Sequence, residues 1–300
     1  MTLTDTRARR SPHRAKIDLF PYALMAPGLL LVLFATLYPV IFVVQYSLFS
    51  TNVYEMVRFV GAANYVFLFQ DERFLENLWN TAVFVIVGVA LCWTFGLTLA
   101  LALRRQSWGT AVLRAIVLVP WVTNQVVLAL MWKLLLGGEF SPLNDLLRSV
   151  GLPPVNPFIS LEQALPTLTV INAWRATGFA MLMLLAGLAA IPKEVDEAAE
   201  VDGATKLQQI RYVIIPMLRP ISMVCIVTLM ISFFNVAVLP LVLTGGGPLH
   251  ATELLSIRLY REGFENFDIA LAATLTVFLI AIELLLAALY FRLVKAGAQS

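Results

Sequence analysis

Few residues in this chain of 300 have the type and spacing that covalent chemistry needs. A phosphate-cradling loop requires Gly-Lys followed by Ser or Thr, and no Gly-Lys dipeptide occurs. A nucleophile elbow requires Gly-x-Ser-x-Gly, which is also absent. The two histidines, His13 and His250, are too far apart in sequence to form a His-x-x-x-His metal pair. Asp196 and Asp202 stand at i, i+6, a spacing that points side chains to different faces of a helix. No catalytic residue, metal ligand or resident cofactor is therefore assigned, and a membrane-embedded hydrolase has no nucleophile or metal set to work with. Two sets of polar residues remain. One is an acidic, alanine-containing segment at 192–216; the other is Asn124, Gln125, Asn172, Arg175, Thr177, Ser232, Asn235 and Glu283, each set within an apolar run.

The surroundings of these residues are set by composition. Hydrophobic residues make up 60% of the chain and charged residues 13%, and the mean hydropathy is +0.83. A soluble fold carries roughly 25% charged residues to cover its surface, so the main solvent here is lipid. A net charge of +2, without basic clusters, gives no footprint for nucleic acid. Cys92 and Cys225 sit in apolar runs and read as small buried hydrophobes rather than a disulfide framework.

A membrane helix needs about 20 mainly apolar residues, and six stretches qualify: Tyr22–Phe49, Asn77–Leu103, Ala115–Leu136, Leu165–Ala190, Ile221–Leu243 and Ile269–Phe291. The first is too long for a signal peptide, whose apolar region is about 7–15 residues, and reads as a retained helix. Basic residues orient the set. Arg7, Arg9, Arg10, Arg14, Lys16, Arg104, Arg105, Arg114, Lys193, Lys206, Arg211, Arg219, Arg292 and Lys295 fall on one side. Only Arg58, Arg73, Lys133, Arg148, Arg258 and Arg261 fall on the other. The expectation is an all-α integral membrane protein with six transmembrane helices, both termini cytoplasmic, in the plasma (inner) membrane. A basic tail covers 1–18, the six-span domain 19–293 and a second cytoplasmic tail 294–300. Connections 50–76 and 137–163 suit caps on the outer face. The last outer connection opens with Thr244-Gly245-Gly246-Gly247-Pro248, residues that allow positive φ beside a fixed turn.

The large cytoplasmic connection, 192–220, reads as two short helices with a bend. Glu194, Asp196 and Glu197 load the first turn with the charge that a helix N-terminus favours. Val195, Ala198, Ala199 and Asp202 fall on one face. Gly203 is placed for a left-handed cap, and Thr205 with Gln208 for a capping box. Leu207, Ile210 and Ile214 share the second helix's face, and Pro216 ends it. Helices that lie on a bilayer are usually basic. An acidic helix with small side chains suits a cleft in a protein partner better.

Glu197-Ala198-Ala199, Gly203, Val213, Ile215 and Pro216 resemble the EAA loop of binding-protein-dependent ABC importer permeases, with the spacing intact and Val213 and Ile215 replacing Ile and Leu. The stretches Phe59–Tyr65, Leu184–Pro192 and Leu243–Pro248 resemble the carbohydrate-uptake branch, closest to its maltose-type first permease. That resemblance implies a coupling helix that docks into an ATPase, a role carried to Glu197, Ala198, Ala199, Asp202, Gly203 and Pro216. It also implies a second permease subunit, forming a heterodimer, and an ABC ATPase dimer that holds ATP and Mg. A solute-binding protein outside the membrane completes the set. Transport would run by alternating access.

For Asn124, Gln125, Asn172, Arg175, Asn235 and Glu283 two roles are open: hydrogen bonding between helices, or lining a translocation path. A charge at a span's centre costs about 2.5–3.5 kcal/mol on insertion scales, so Arg175 is the most expensive of them, and Glu283 is one candidate partner. An ion-coupled secondary transporter is the alternative reading, with Glu283 as the sole acidic group inside a span.

Overall fold

The computed structural model describes residues 20–105, 107–138 and 141–297, with side chains placed from Leu24 to Arg292 within those stretches. Arg7, Arg9, Arg10, His13, Arg14, Lys16 and the Lys295 side chain lie outside them. The chain divides between Val43 and Val44 into two compact units.

Helix α1 (Phe20–Ser47) supplies all the described residues of the first unit and contains Pro27 and Pro39. Phe34, Tyr38 and Phe42 stack along it at one-turn intervals.

The second unit begins with the last turn of α1 and a hairpin of β1 (Phe49–Asn52) and β2 (Glu55–Phe59), paired antiparallel. This hairpin departs from the all-α expectation. It is closed locally, because Asn64 donates to the Ser47 and Phe49 carbonyls at 2.8 and 3.0 Å. Helices α2 (Ala63–Gln70), α3 (Glu72–Ala102), α4 (Trp108–Val122), α5 (Gln125–Leu136), α6 (Pro142–Ser149) and α7 (Ala164–Ala189) follow. Next come α8 (Lys193–Val201), α9 (Lys206–Gln209), a π-helical turn (Ile210–Ile214), α10 (Ile215–Met217) and α11 (Arg219–Phe234). The chain closes with α12 (Val238–Leu243), α13 (Leu255–Tyr260), a second π-helical turn (Arg261–Glu265) and α14 (Ile269–Gly297).

Four helices, α1, α3, α7 and α14, are long and apolar enough to cross a membrane, and two bent pairs bring the number of spans to as many as six. The four agree closely with the expected first, second, fourth and sixth stretches. The third and fifth expectations need correction.

The third stretch is not one straight helix, since α4 and α5 meet at 97°. Pro120 removes a backbone donor in the last turn of α4. Asn124 then starts a new helix by accepting from Val126 N–H at 2.8 Å. The fifth stretch is also interrupted. Its helix stops at Asn235, and a separate short α12 carries the remainder. A 70° bend separates the segment Lys206–Met217 from α11, and Pro220 opens the new helix there.

Helices α3 and α7 form the centre of the core and also pack against α11. Small residues let these backbones approach, as membrane interfaces require. A Cβ on Gly96 of α3 would fall 2.6 Å from the Ala180 Cβ of α7, and one on Gly178 would fall 2.7 Å from the Val117 carbonyl of α4. One apolar cluster includes Phe74, Phe84, Leu168, Phe233, Leu239 and Leu275. A second gathers Leu97, Ala100, Leu103, Leu184, Leu188, Ile191, Ile214 and Leu218 beneath the 192–220 connection.

Candidate functional site

The connection 192–220 folds largely as its local signals dictate. Glu194 and Asp196 occupy the first turn of α8. Gly203 takes φ +75°, donating to the Glu200 carbonyl at 3.0 Å while Ala204 N–H donates to the Ala199 carbonyl at 3.0 Å. This is a Schellman cap, and its left-handed residue favours glycine. Thr205 N–H donates to Gln208 Oε1 at 2.8 Å and Gln208 N–H donates to Thr205 Oγ1 at 3.4 Å, completing the expected capping box.

Three local expectations differ from the structure. The proposed common face of α8 is split: Ala199 is buried and Val195 packs on the second cluster, whereas Ala198 and Asp202 are exposed, as is Glu197 beside them. A helix lying on its own protein must turn one stripe inward, and the apolar Val195 takes it. On the next helix Ile214 is buried and Ile210 half-buried, but Leu207 is 75% exposed. Nor does Pro216 end that helix. The chain widens into π turns over Ile210–Ile214 and continues to Met217. That widening accommodates a proline ring that would crowd the carbonyl four residues earlier in a regular α-helix.

Polar groups within the apolar helices fall into three groups. Asn124 is exposed and caps α5, with Gln125 as its first residue. Asn172 and Arg175 are buried on α7, where Arg175 Nε donates to Asn172 Oδ1 at 3.1 Å. Asn235 Nδ2 donates to Glu283 Oε1 at 2.6 Å and to the Ile231 carbonyl at 2.9 Å. Glu283 therefore partners Asn235 rather than Arg175, and among the described residues no carboxylate pairs with Arg175. Arg175 instead lines a cavity of about 120 Å³ with Trp121, Phe179, Thr228 and Ser232. Thr228, Ser232 and Asn235 are all exposed on α11 at i, i+4 and i+7, forming one polar stripe on an otherwise apolar helix.

A further polar cluster is not singled out in the sequence analysis. Glu253 is fully buried beyond α12. Arg73, at the start of α3, grips it with two hydrogen bonds of 2.7 and 2.8 Å. Arg261 donates both to Glu253 and to the Gly245 carbonyl, and His250 Nδ1 lies 3.0 Å from Glu253 Oε2. Beside them Arg258 pairs with Asp71, with Glu262 3.6 Å away. The cluster fastens the turn in which Gly245 and Gly246 take φ +58° and +81°. Burial pushes the Glu253 carboxyl up, but the hydrogen bond and charge of Arg73, with the charge of Arg261, outweigh it and hold the group below its ordinary value. The i, i+4 spacing of Arg258 and Glu262 was a legible signal. The pairing of Arg73 with Glu253 spans 180 positions and was not.

Several lipid-length helices, two bent helix pairs and a capped polar connection define a multi-pass membrane protein. Residues 93–296 match the binding-protein-dependent transport system inner membrane component family, and the chain belongs to that family. A probable ABC transporter permease of Brucella suis biovar 1 is 30% identical over 283 residues, covering 93% of this chain and 98% of that protein. The trehalose/maltose transport system permease protein MalF of Thermococcus litoralis is 32% identical over 266 residues, covering 87% of this chain and 90% of its own. In a crystal structure of a bacterial alginate ABC transporter with its alginate-pentasaccharide-bound periplasmic protein, one chain has the same fold. Its TM-score is 0.78 at 23% identity, over 91% of this chain and 93% of that one.

Proposed function

We propose that this chain is one of two permease subunits in an ATP-driven importer of a sugar or sugar derivative. The exposed acidic helix α8 and its Schellman cap at Gly203 carry this reading: they leave Glu197, Ala198 and Asp202 free of the chain's own core and available to another protein. An ABC ATPase dimer docks there, bringing ATP and Mg, and Gly203 and Pro216 shape the backbone on either side. The second permease closes the translocation path against the polar stripe of α11. Asn124, Gln125, Asn172, Arg175, Asn235 and Glu283 are the path's candidate residues on this chain. A solute-binding protein delivers the cargo from outside, and the trehalose/maltose relative favours a carbohydrate. The six spans include a bent third and a fifth interrupted at Asn235, with both termini cytoplasmic.

Uptake of labelled trehalose, maltose and acidic sugars by cells expressing the whole system tests the energy source. Uptake persists with a protonophore while cellular ATP is maintained, and stops when ATP is depleted. Collapse with the protonophore at normal ATP overturns the reading. Topology is tested by cysteine labelling in intact cells, with native Cys92 and Cys225 buried. An impermeant reagent labels Leu249→Cys, exposed in the same connection as the buried Gly246, and spares Gly203→Cys; the reverse pattern overturns the orientation.

A further inference from the structure

The coupling helix is tied not only to its own chain neighbours but also to the distant corner between α3 and α4. Arg104 lies two residues beyond α3, and its Nη2 stands 2.6 Å from Asp196 Oδ2 in the first turn of α8. Both side chains are about 70% covered, at 30% and 28% exposure. The corner that carries Arg104 is itself fixed. Arg114 of α4 donates through Nε to the Leu103 carbonyl at 3.2 Å, and through Nη2 to that carbonyl and to the Arg105 carbonyl. Apolar packing continues the link, because Val195, next to Asp196, lies against the cluster that contains Leu97, Ala100 and Leu103 of α3.

We infer that Arg104 and Asp196 are a positioning pair that fixes α8 to the cytoplasmic corner of α3. Displacement of α8 is thereby passed to α3, and through the packing of α3 on α7 and α11 to the polar stripe. This rests on the coupling role proposed for α8. The geometry favours transmission over simple stabilisation. A partly exposed ion pair adds little to overall stability, whereas α8 is bounded by turns at Pro192 and Gly203 that leave its tilt to side-chain contacts. A charge-assisted contact of 2.6 Å between guanidinium and carboxylate holds the two elements at a fixed separation.

The test uses the complete transporter in lipid vesicles, with a Ser232→Cys reporter on the stripe and an impermeant maleimide as the probe. Hydrolysis, ATPase retention on purification and the ATP-induced change in labelling rate are read together. Arg104→Glu and Asp196→Arg each retain the ATPase and hydrolyse ATP, while the ATP-induced change falls about two- to fivefold, the range of a partly exposed pair. The double charge swap restores it. Arg104→Gln and Asp196→Asn, gentler on folding, lie between. Single variants that respond as the parent does, a double swap that fails to restore, or a parent reporter blind to ATP each overturn the inference. Loss of ATPase retention in Asp196→Arg that the swap leaves unrepaired also overturns it, by making Asp196 a docking residue. Failure of the coupling reading itself shows differently, as full ATPase retention in Gly203→Val.

Discussion

The two ends of helix α3 hold similar side chains in opposite circumstances. At its start, Arg73 joins Glu253, Arg261 and His250 in a cluster whose carboxylate is fully buried. Beyond its end, roughly 45 Å away by helical rise, the acidic helix α8 keeps Glu197 and Asp202 in the open. A buried carboxylate is tolerable only with its partners in place, so the first cluster is complete within the chain. Exposed carboxylates are satisfied by water and stay available. Charge at the first end serves this chain's fold, and the exposed charge at the second is left open for the ATPase contact proposed above.

Substitutions should separate the two ends. The largest loss of stability is expected at Glu253. Glu253→Ala leaves Arg73 and Arg261 facing each other without the carboxylate, and breaking such a pair costs about 3 kcal/mol or more. Thermal unfolding of the purified protein measures it; an unchanged midpoint would remove the distinction between the ends. The same residue sets a pH dependence. Its carboxyl is held below the ordinary 4.5, so its stabilisation is present above that value and fades as pH falls through the depressed one. The melting temperature of the parent should drop below pH 4.5 more steeply than that of Glu253→Gln.

Gly203→Val comes next. Nothing lies within 4 Å of a Cβ built there, so the cost is the left-handed backbone alone, about 1–2 kcal/mol. Membrane insertion should be normal, while ATP-driven uptake and ATPase retention fall to near zero. Glu283 lies between the extremes, half-buried and bonded to Asn235. Glu283→Leu removes one hydrogen bond, worth about 1 kcal/mol, and should lower uptake several-fold more than Glu283→Gln does. Equal, parental uptake in both would show that Asn235 needs no partner there.

The same contrast explains what could be read from the sequence. Gly203, Thr205 and Gln208 act on backbone groups within a few positions, so their caps were legible and stand where expected. The four long spans were legible too, because an apolar run of sufficient length admits few alternatives in lipid. The breaks at Asn124 and Asn235 were not. Each is a helix cap inside an apolar stretch, and window hydropathy averages over a single polar residue. The signal at Asn124 was nevertheless present, as a proline four residues before an N-capping side chain. Glu253 was illegible for a different reason: its partner Arg73 is brought to it only when α3 and the loop after α12 have packed. The split face of α8 is intermediate, since periodicity placed its residues correctly but could not choose which of them the chain's own core would claim.

Glu197→Lys is expected to have the smallest effect on the fold and so gives the sharpest comparison. Glu197 is exposed at the middle of α8, and surface changes away from special features stay within about 0.5 kcal/mol. Glu197 lies past the first turn of α8, where the helix dipole acts, so reversing its charge leaves the Asp196–Arg104 pair and the packed Val195 in place. The melting temperature should therefore shift by less than that of any variant above. Retention of the ATPase should nonetheless weaken, because Glu197 is free of internal work and its charge is offered outward, and raised salt should weaken retention by the parent in the same sense. A variant that melts early but keeps its ATPase would invert the assignment, making Glu197 a residue of the fold and leaving the loop's outward face without its charged contact.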